Sequence, residues 1–262
     1  MTVITSSQNS KIKLVRALLG RPKERREANV FVIEGVRLVE EAVNINWEFQ
    51  FALYSDGLSE RGLNLIKRLE DKKIEVEMVE SGLLQSLSET ETPQGILAVL
   101  VDSRLPIPDS LNFILIPDQI RDPGNLGTLI RTAAATGVQT VLIPPETTGA
   151  FAPKVVRSGM GAHFRLPIHS MAWEEIRKYV SASHPLQVYL ADMGGKSCWE
   201  TDLRQPLALI VGGEAAGASN EARKLATKKI SIPMQGQVES LNAGVAGSVL
   251  MFEVVRQRKT VG

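Results

Sequence analysis

The hydrophobic positions of the first hundred residues change period several times, which predicts alternating helices and strands. Apolar residues three and four positions apart predict amphipathic helices, and short apolar runs between polar residues predict buried strands. The predicted helices are 9–19, 35–43, 59–72 and 80–87. The predicted strands are 30–33, 49–54, 74–78 and 94–101. Such alternation is typical of a layered α/β domain.

A polar stretch with two prolines, residues 104–110, interrupts this pattern and predicts a linker between domains 1–103 and 111–262. In the second domain the predicted strands are 113–116, 139–143, 187–190, 207–211 and 229–232. One predicted helix follows residue 127. The others cover 153–158, 171–180, 219–226 and 241–256. Because the strands are nearly continuous apolar runs, we expect a mostly parallel sheet covered on both faces.

Three strands of the second domain are each followed by a polar loop and then a helical pattern. The loops are 121–131, 211–217 and 231–242. Ligands bind at the carboxyl ends of strands in open α/β sheets, so three such loops predict one assembled site. Each loop alone is equally well explained as a capped turn, with Asn125 and Ser240 as suitable helix caps.

The composition argues against several kinds of chemistry. Cys198 is the single cysteine, and the three histidines lack metal-ligand spacing, so we expect no disulfide and no metal. The second loop lacks the P-loop lysine, and no histidine lies in the three loops, which disfavours NTP hydrolysis and a Ser–His hydrolase. Without a membrane-length apolar run or a signal peptide, the expectation is a cytoplasmic protein with no membrane contact.

Charge is concentrated at the start of the chain, although the whole protein has a net charge of only +1. Residues 1–26 carry seven basic side chains against one acid, Glu24, which amounts to +6. A basic block of this kind is either a footprint for RNA phosphates or a solvated helix face. The candidate RNA-binding residues are Lys11, Lys13, Arg16 and Arg21.

Taken together, the three loops resemble the three motifs of the SpoU/TrmH family of RNA ribose 2′-O-methyltransferases, in the SPOUT superfamily. The matching segments are D-P-G-N-L-G-T-L-I-R-T-A from residue 122, G-G-E-A-A-G from 212, and I-P-M-x(4)-E-S-L-N from 232. Residues 4–11, 31–35 and 92–95 are similar to the family's accessory substrate-binding domain, which resembles ribosomal protein L30e. The resemblance covers nearly the whole chain.

The resemblance implies a fold and partners that periodicity does not reveal. It implies an α/β chain with a C-terminal SPOUT domain, whose parallel sheet contains a deep trefoil knot, and a smaller N-terminal L30e-like α/β domain. It also implies S-adenosyl-L-methionine as the cofactor, RNA as the substrate and a homodimer with the active site at the subunit interface.

Carried over position by position, the family's motifs assign roles to eight residues. The catalytic set implied is Asn125, Arg131, Glu214, Ser240 and Asn242. The cofactor-binding set implied is Gly212, Ile232 and Leu241. Since a guanidinium stays protonated up to a pKa above about 12, we expect Arg131 to anchor the phosphate beside the ribose first and to accept a proton second. Glu214 is expected to orient Arg131 or its neighbours.

The accessory domain favours ribosomal RNA, specifically 23S rRNA, over tRNA as the substrate. Two other interpretations remain open: a tRNA 2′-O-methyltransferase, and a non-catalytic RNA-binding or ribosome-assembly factor with the same fold. Within the rRNA interpretation, the residues do not distinguish housekeeping modification from antibiotic resistance, nor do they give the target nucleotide.

Overall fold

The computed structural model describes residues 3–182, 186–214, 217–236 and 240–259. The chain divides into two compact units. The first contains the residues up to Ser103 and also Phe151–Arg157, a return of the chain that the sequence-based borders do not include. The second contains Arg104–Ala150 and the residues from Ser158 onward.

The first unit is a four-stranded sheet with helices packed on it. Its helices are α1 (Ser10–Gly20), α2 (Pro22–Ala28), α3 (Val36–Asn44), α4 (Glu60–Asp71) and α5 (Ser81–Gln85). Its strands are β1 (Val30–Glu34), β2 (Phe49–Tyr54), β3 (Val76–Met78) and β4 (Ile96–Val101). The strand order is β1-β4-β2-β3, with β4 antiparallel to both neighbours and β2 parallel to β3.

Helix α1 shows how the sequence pattern sets the packing of this unit. Ile12, Val15 and Leu18 are spaced three apart and are fully buried in the core. Asn9 caps the helix by accepting a hydrogen bond from the amide of Lys11 at 2.9 Å. Helix α2 was not expected, because none of its side chains is buried and it has no hydrophobic period to recognise.

The second unit is built on a six-stranded parallel sheet, which confirms the predicted class of fold. Its strands are β5 (Phe113–Asp118), β6 (Thr140–Ile143), β7 (Ile168–Ser170), β8 (Gln187–Ser197), β9 (Leu207–Gly212) and β10 (Lys228–Ser231). Its helices are α6 (Pro123–Ala135), α8 (Trp173–Ala182), α9 (Asn220–Leu225) and α10 (Ala243–Lys259), whereas most of α7 (Pro153–Gly159) belongs to the segment assigned to the first unit. The strand order is β10-β8-β9-β5-β6-β7, and every pairing is parallel.

Strand β8 is longer than the predicted 187–190. Its second half is polar and contains Gly194 and Gly195, so the sequence there is typical of a loop. Its last two residues, Lys196 and Ser197, nevertheless pair with β10, and a Cβ on Gly195 would lie 2.5 Å from the backbone nitrogen of Ile230. The strands therefore approach at a point where only glycine fits. The trefoil knot implied by the resemblance stays a prediction.

Candidate active site

The three predicted loops leave the same edge of the second unit's sheet. They follow β5, β9 and β10, and the register pairs Asp118 of β5 directly with Gly212 of β9. Parallel strands present their carboxyl ends together, which explains why distant sequence segments meet here. Residues 215–216 and 237–239, which belong to the second and third motifs, lie outside the described residues.

Asn125 lies in the first turn of α6 and is not the helix cap that its sequence position suggested. Asp122 is the cap, and its Oδ1 accepts a hydrogen bond from the amide of Asn125 at 2.8 Å. The side chain of Asn125 is therefore available for another contact. Its Nδ2 donates to Oε1 of Glu214 at 2.8 Å, which joins the first motif to the second.

Glu214 is the centre of a hydrogen-bond network that includes all three motifs. Its Oε1 also accepts from Nδ2 of Asn242 at 2.7 Å and from the amide of Ala243 at 3.1 Å. Nδ2 of Asn242 lies 2.8 Å from Oδ1 of Asn125 and donates to it as well. A carboxylate is an acceptor only, so it suits a position surrounded by three N–H donors.

The last helix begins two residues later than predicted, at Ala243 rather than Leu241. Oδ1 of Asn242 accepts a hydrogen bond from the amide of Val245 at 3.1 Å, the pattern of a helix cap. Ser240, the expected cap, therefore lies outside the helix. It is exposed and lines a cavity instead.

Small residues at the start of α10 allow α6 to lie close to it. A Cβ on Gly247 would lie 2.3 Å from Cδ2 of Leu129, so a larger residue would push the helices apart. One turn further along, the hydroxyls of Thr132 and Ser248 are hydrogen-bonded at 2.8 Å. This close packing holds the amide groups of Asn125 and Asn242 within bonding distance.

A cavity of about 350 Å³ lies between the loops, next to this network. All three residues predicted to bind a cofactor, Gly212, Ile232 and Leu241, line it, and Glu214 and Ser240 line it too. Much of the remaining wall is apolar, formed by Val211, Ile230, Met234, Ala243, Ala246 and Leu250. A mainly apolar cavity with a few polar groups is the usual form of a small-molecule site.

Gly213 explains why the second motif begins with a pair of glycines. A Cβ at this position would lie 2.2 Å from the carbonyl oxygen of Gln119, which follows β5. The backbone of this loop therefore packs directly against the end of the neighbouring strand. Asp118, just before Gln119, also holds the loop, because its Oδ2 accepts from the amide of Ser219 at 2.6 Å. Burial raises the pKa of Asp118 above its usual value, although the bond from Ser219 opposes this.

One end of the cavity is charged, formed by Asp192 and Arg223, which were not predicted as site residues. Oδ2 of Asp192 lies 3.1 Å from Nζ of Lys229 and 3.4 Å from Nη1 of Arg223. Burial raises the pKa of Asp192, but the amide of Gly194 and the two cations together hold it below its usual value. The sequence contains one indication of this residue. Asp192 lies two residues after the predicted strand 187–190, and the other motif loops also follow predicted strands.

Arg131 stands apart from the network and the cavity wall. It lies on α6, its side chain is exposed, and its guanidinium has no hydrogen bond or ion pair among the described residues. Oε1 of Glu214 contacts Asn125, Asn242 and Ala243, which are residues of the neighbouring motifs. The expectation that Glu214 orients Arg131 or its neighbours stays a prediction.

The four candidate RNA-binding residues of the first unit fall into different environments. Lys11 is mostly buried, with its Nζ 2.7 Å from Glu75, 3.0 Å from Glu77 and 5.2 Å above the ring of Phe51. Burial lowers the pKa of Lys11, but the two carboxylates outweigh it and raise the pKa. Lys11 is thus paired within the first unit, and its assignment to the RNA-binding set stays a prediction.

The other three candidates are exposed on α1 and just after it. Nη1 of Arg21 lies 3.6 Å from Glu24, whereas Lys13 and Arg16 have no ion pair within the described part of the chain. Lys13 and Arg16 lie three residues apart, so they share one face of the helix. This face remains a candidate for phosphate binding.

Two family models match the chain in sequence. The SpoU rRNA Methylase family model matches residues 112–252, and the MRM3-like substrate binding domain model matches residues 9–98. The first match contains the network and most of the cavity wall. The second contains most of the first unit.

Individual relatives match over nearly the full length. The chain is 34% identical to the 23S rRNA (guanosine(2553)-2′-O)-methyltransferase RlmP of Bacillus subtilis, covering 97% of this chain and 99% of the relative. It is 33% identical to the 23S rRNA (uridine(2479)-2′-O)-methyltransferase of Streptomyces viridochromogenes, over 97% and 92%. Among solved structures, an AdoMet-bound rRNA methyltransferase from Sinorhizobium meliloti matches with a TM-score of 0.85 and 28% identity over 97% of each chain. The chain therefore belongs to the SpoU rRNA methylase family.

Proposed function

We propose that this protein transfers a methyl group from S-adenosylmethionine to the 2′-hydroxyl of a ribose in RNA, and that the RNA is 23S ribosomal RNA. The observation that supports this best is the network of Asn125, Glu214 and Asn242, which joins the three motifs beside one cavity. The names of the two relatives above, both 23S rRNA 2′-O-methyltransferases, support the choice of substrate.

The cavity fits the proposed cofactor in size and in chemistry. A volume of about 350 Å³ is within the range of small-molecule sites. Ile232 and Leu241 offer apolar surface for the heterocycle and the methylene groups of the cofactor, and the backbone of Gly212 offers hydrogen-bonding groups without a side chain in the way. When bound there, the cofactor supplies an electrophilic methyl group on a positively charged sulfur.

Motif side chains that do not line the cavity would position the acceptor ribose. Arg131 is exposed and has no described partner, so its planar guanidinium can bind the phosphate next to the ribose through two parallel hydrogen bonds. Asn125 and Asn242 are held by Glu214, which keeps the first and third loops in fixed positions. Correct positioning of two reacting groups can supply a large share of the rate enhancement.

The proton of the 2′-hydroxyl must also leave. A guanidinium already carries its proton at neutral pH, because its pKa lies above about 12, so Arg131 can accept the hydroxyl proton only if its surroundings first hold it as the neutral guanidine. We therefore assign phosphate binding to Arg131 as its first role and proton acceptance as its second. DNA lacks the reactive hydroxyl and should not be a substrate.

The proposed function is tested by mapping 2′-O-methyl groups in total RNA from cells with and without the protein. We expect one position in 23S rRNA to lose its methyl group when the protein is absent. A change confined to tRNA would assign the substrate to the alternative class. No change in either RNA, together with no heat of binding for S-adenosylmethionine in calorimetry, would favour a non-catalytic RNA-binding factor.

We also propose that the protein acts as a homodimer through the outer face of α10. The side chains of Trp199 and Phe252 are 52% and 54% exposed, and they line the same shallow depression. Exposed large apolar side chains of this kind often mark an interface. Phe252→Asp should shift the sedimentation coefficient to that of a monomer, whereas Leu63→Asp, on the exposed side of α4, should leave it unchanged.

A cytoplasmic location is proposed as well, because the bacterial relatives are named for a ribosomal RNA substrate. In the described part of the chain, no helix is long and apolar enough to cross a membrane. Fractionation of cells that produce a tagged form of the protein would test the location.

A further inference from the structure

The first unit contains a second cavity, of about 210 Å³, which none of the predicted site residues lines. Its wall includes the buried side chains of Leu84 and Leu97, and also Gly57 and Gln85, which are exposed to solvent. The wall is therefore partly apolar and partly polar, and the cavity opens at the surface. The residues that form it lie within 34–97, inside the span that matches the MRM3-like substrate binding domain model.

The buried hydroxyl of Ser55 is the feature of this cavity that points to a ligand. Ser55 is only 6% exposed, and its side chain has no hydrogen-bond partner among the described residues. The hydroxyl lies on the cavity wall, where it can donate a hydrogen bond to a molecule in the cavity or accept one from it. A Cβ on Gly95 would lie 2.9 Å from Oγ of Ser55, so glycine at this position keeps the space beside the hydroxyl open.

The charge around the cavity selects against an anion. Among the described residues, no lysine or arginine lines the wall, whereas the carboxylate of Glu34 does. Oε1 of Glu34 accepts from Thr90 Oγ1 at 2.7 Å and from Ser88, and its Oε2 lies 3.7 Å from Nη1 of Arg157. The carboxylate is thus balanced by its own partners, and the cavity offers hydroxyl and amide groups to an uncharged ligand.

We propose that this cavity receives an unpaired nucleobase of the RNA substrate, a proposal that rests on the proposed function. Leu84 and Leu97 provide apolar surface for the faces of the ring, and Ser55 and Gln85 provide hydrogen bonds for its edge. Sequence-specific RNA recognition usually targets unstacked bases in loops and bulges, with hydrogen bonds to the base edges. The cavity then selects the RNA loop, and the exposed cations of α1 bind the phosphates.

Two variants test the cavity. Gly57→Leu fills it from the open side, where a Cβ would have no atom within 4 Å. Gln85→Leu removes the amide at the opening. The matched controls are Gly20→Leu, at a glycine with equally open surroundings, and Gln50→Leu, at an exposed glutamine of β2 outside the cavity. Circular dichroism and calorimetry with S-adenosylmethionine verify that each variant is folded and binds the cofactor.

The measurement is the affinity for 23S rRNA made by in vitro transcription, taken at several salt concentrations. We expect both cavity variants to bind roughly tenfold more weakly, with the slope of log K against log salt unchanged, because no phosphate contact is lost. The controls should bind like the wild type. Wild-type affinity in both cavity variants, or weaker binding with a flatter salt slope, would overturn the proposal. If the wild-type protein itself does not bind this RNA, the proposed function fails, and the cavity proposal fails with it.

Discussion

Nδ2 of Asn125 donates a 2.8 Å hydrogen bond to Oε1 of Glu214, which lies 89 residues further along the chain. Asn125 belongs to the first turn of α6, and Glu214 follows β9. The bond therefore joins two loops that only the sheet brings together. The same oxygen accepts from Asn242, so a single carboxylate sets the relative position of all three motifs.

Removing this carboxylate should disrupt the site more than the fold. We expect Glu214→Ala to lower kcat by on the order of 100-fold, because small displacements of positioning groups have effects of that size. Glu214→Gln, which retains an oxygen acceptor without the charge, should lose less activity. Steady-state kinetics with S-adenosylmethionine measures both. Glu174→Ala, on the exposed side of α8, is the control, and an E214A enzyme as active as that control would contradict the role of the network.

The activity on RNA should be sensitive even to the replacement of Arg131 by lysine. Lysine retains the positive charge but loses the planar fork that binds a phosphate through two hydrogen bonds. Arg131→Lys is expected to lower kcat/KM for RNA by on the order of 100-fold, while S-adenosylmethionine binds normally, because Arg131 does not line the cavity. Arg204→Lys, at an exposed arginine paired with Asp202, is the matched substitution. Wild-type turnover in R131K would refute both roles proposed for Arg131.

Replacing Lys11 should change the stability of the fold, whereas replacing Lys13 or Arg16 on the same helix should change RNA binding. Lys13→Ala and Arg16→Ala remove exposed charges that have no ion pair among the described residues, so each should weaken RNA binding and reduce the salt slope by about one unit. Lys11→Ala should instead lower the free energy of unfolding by about 1 kcal/mol, because Glu75 and Glu77 lose their cation. Salt titrations of RNA binding and urea denaturation distinguish the two effects. An unchanged slope in a Lys13/Arg16 double variant would remove this face from the RNA-binding surface.

The buried ring of His163 should make the protein less stable to unfolding in mild acid. Its ring is fully buried, and Nε2 donates to the carbonyl oxygen of Ala150 at 2.9 Å, because a carbonyl can only accept. Burial lowers the pKa of His163 from 6.5 to about 4, so the unfolded chain binds the proton first as the pH falls. The contribution of the neutral ring is fully present above pH 6.5 and is lost between pH 6.5 and 4, in total roughly 3 kcal/mol.

Denaturant unfolding at several pH values measures this effect. His163→Gln should show a smaller decrease in the free energy of unfolding between pH 6.5 and 4 than the wild type does. His169→Gln is the control, since the His169 ring is less buried and bonds to the carbonyl of Leu105. Equal decreases in the wild type and H163Q would show that His163 does not contribute.

Gly213 should tolerate no side chain at all. The added methyl of Gly213→Ala would lie 2.2 Å from the carbonyl oxygen of Gln119. This oxygen belongs to the backbone directly after β5, a strand with neighbours on both sides, so it cannot move away easily. The loop must shift instead, so the affinity for S-adenosylmethionine should fall by about tenfold. Gly236→Ala, where nothing lies within 4 Å, should bind normally. Calorimetry compares the two variants, and equal affinities would show that the loop is free to adjust.

Local patterns in the sequence determined most of the elements. The apolar run of β5 and the three-residue spacing of Ile12, Val15 and Leu18 in α1 predict their structures because strands and helices have fixed periods. The order of the three loops was also sufficient to indicate one site. Carboxyl ends of parallel strands lie at one edge of a sheet, whatever the details of packing.

Only the tertiary structure decided which partner each polar side chain has. Lys11 belongs to a basic stretch of sequence, yet Glu75 and Glu77, more than 60 residues away, neutralise it. The polar end of β8 pairs with β10 through Lys196 and Ser197, although its sequence is typical of a loop. Glu214 contacts Asn125 and Asn242, which belong to the other two motifs. Such contacts depend on which distant segments meet in space, and periodicity along the chain carries no information about that.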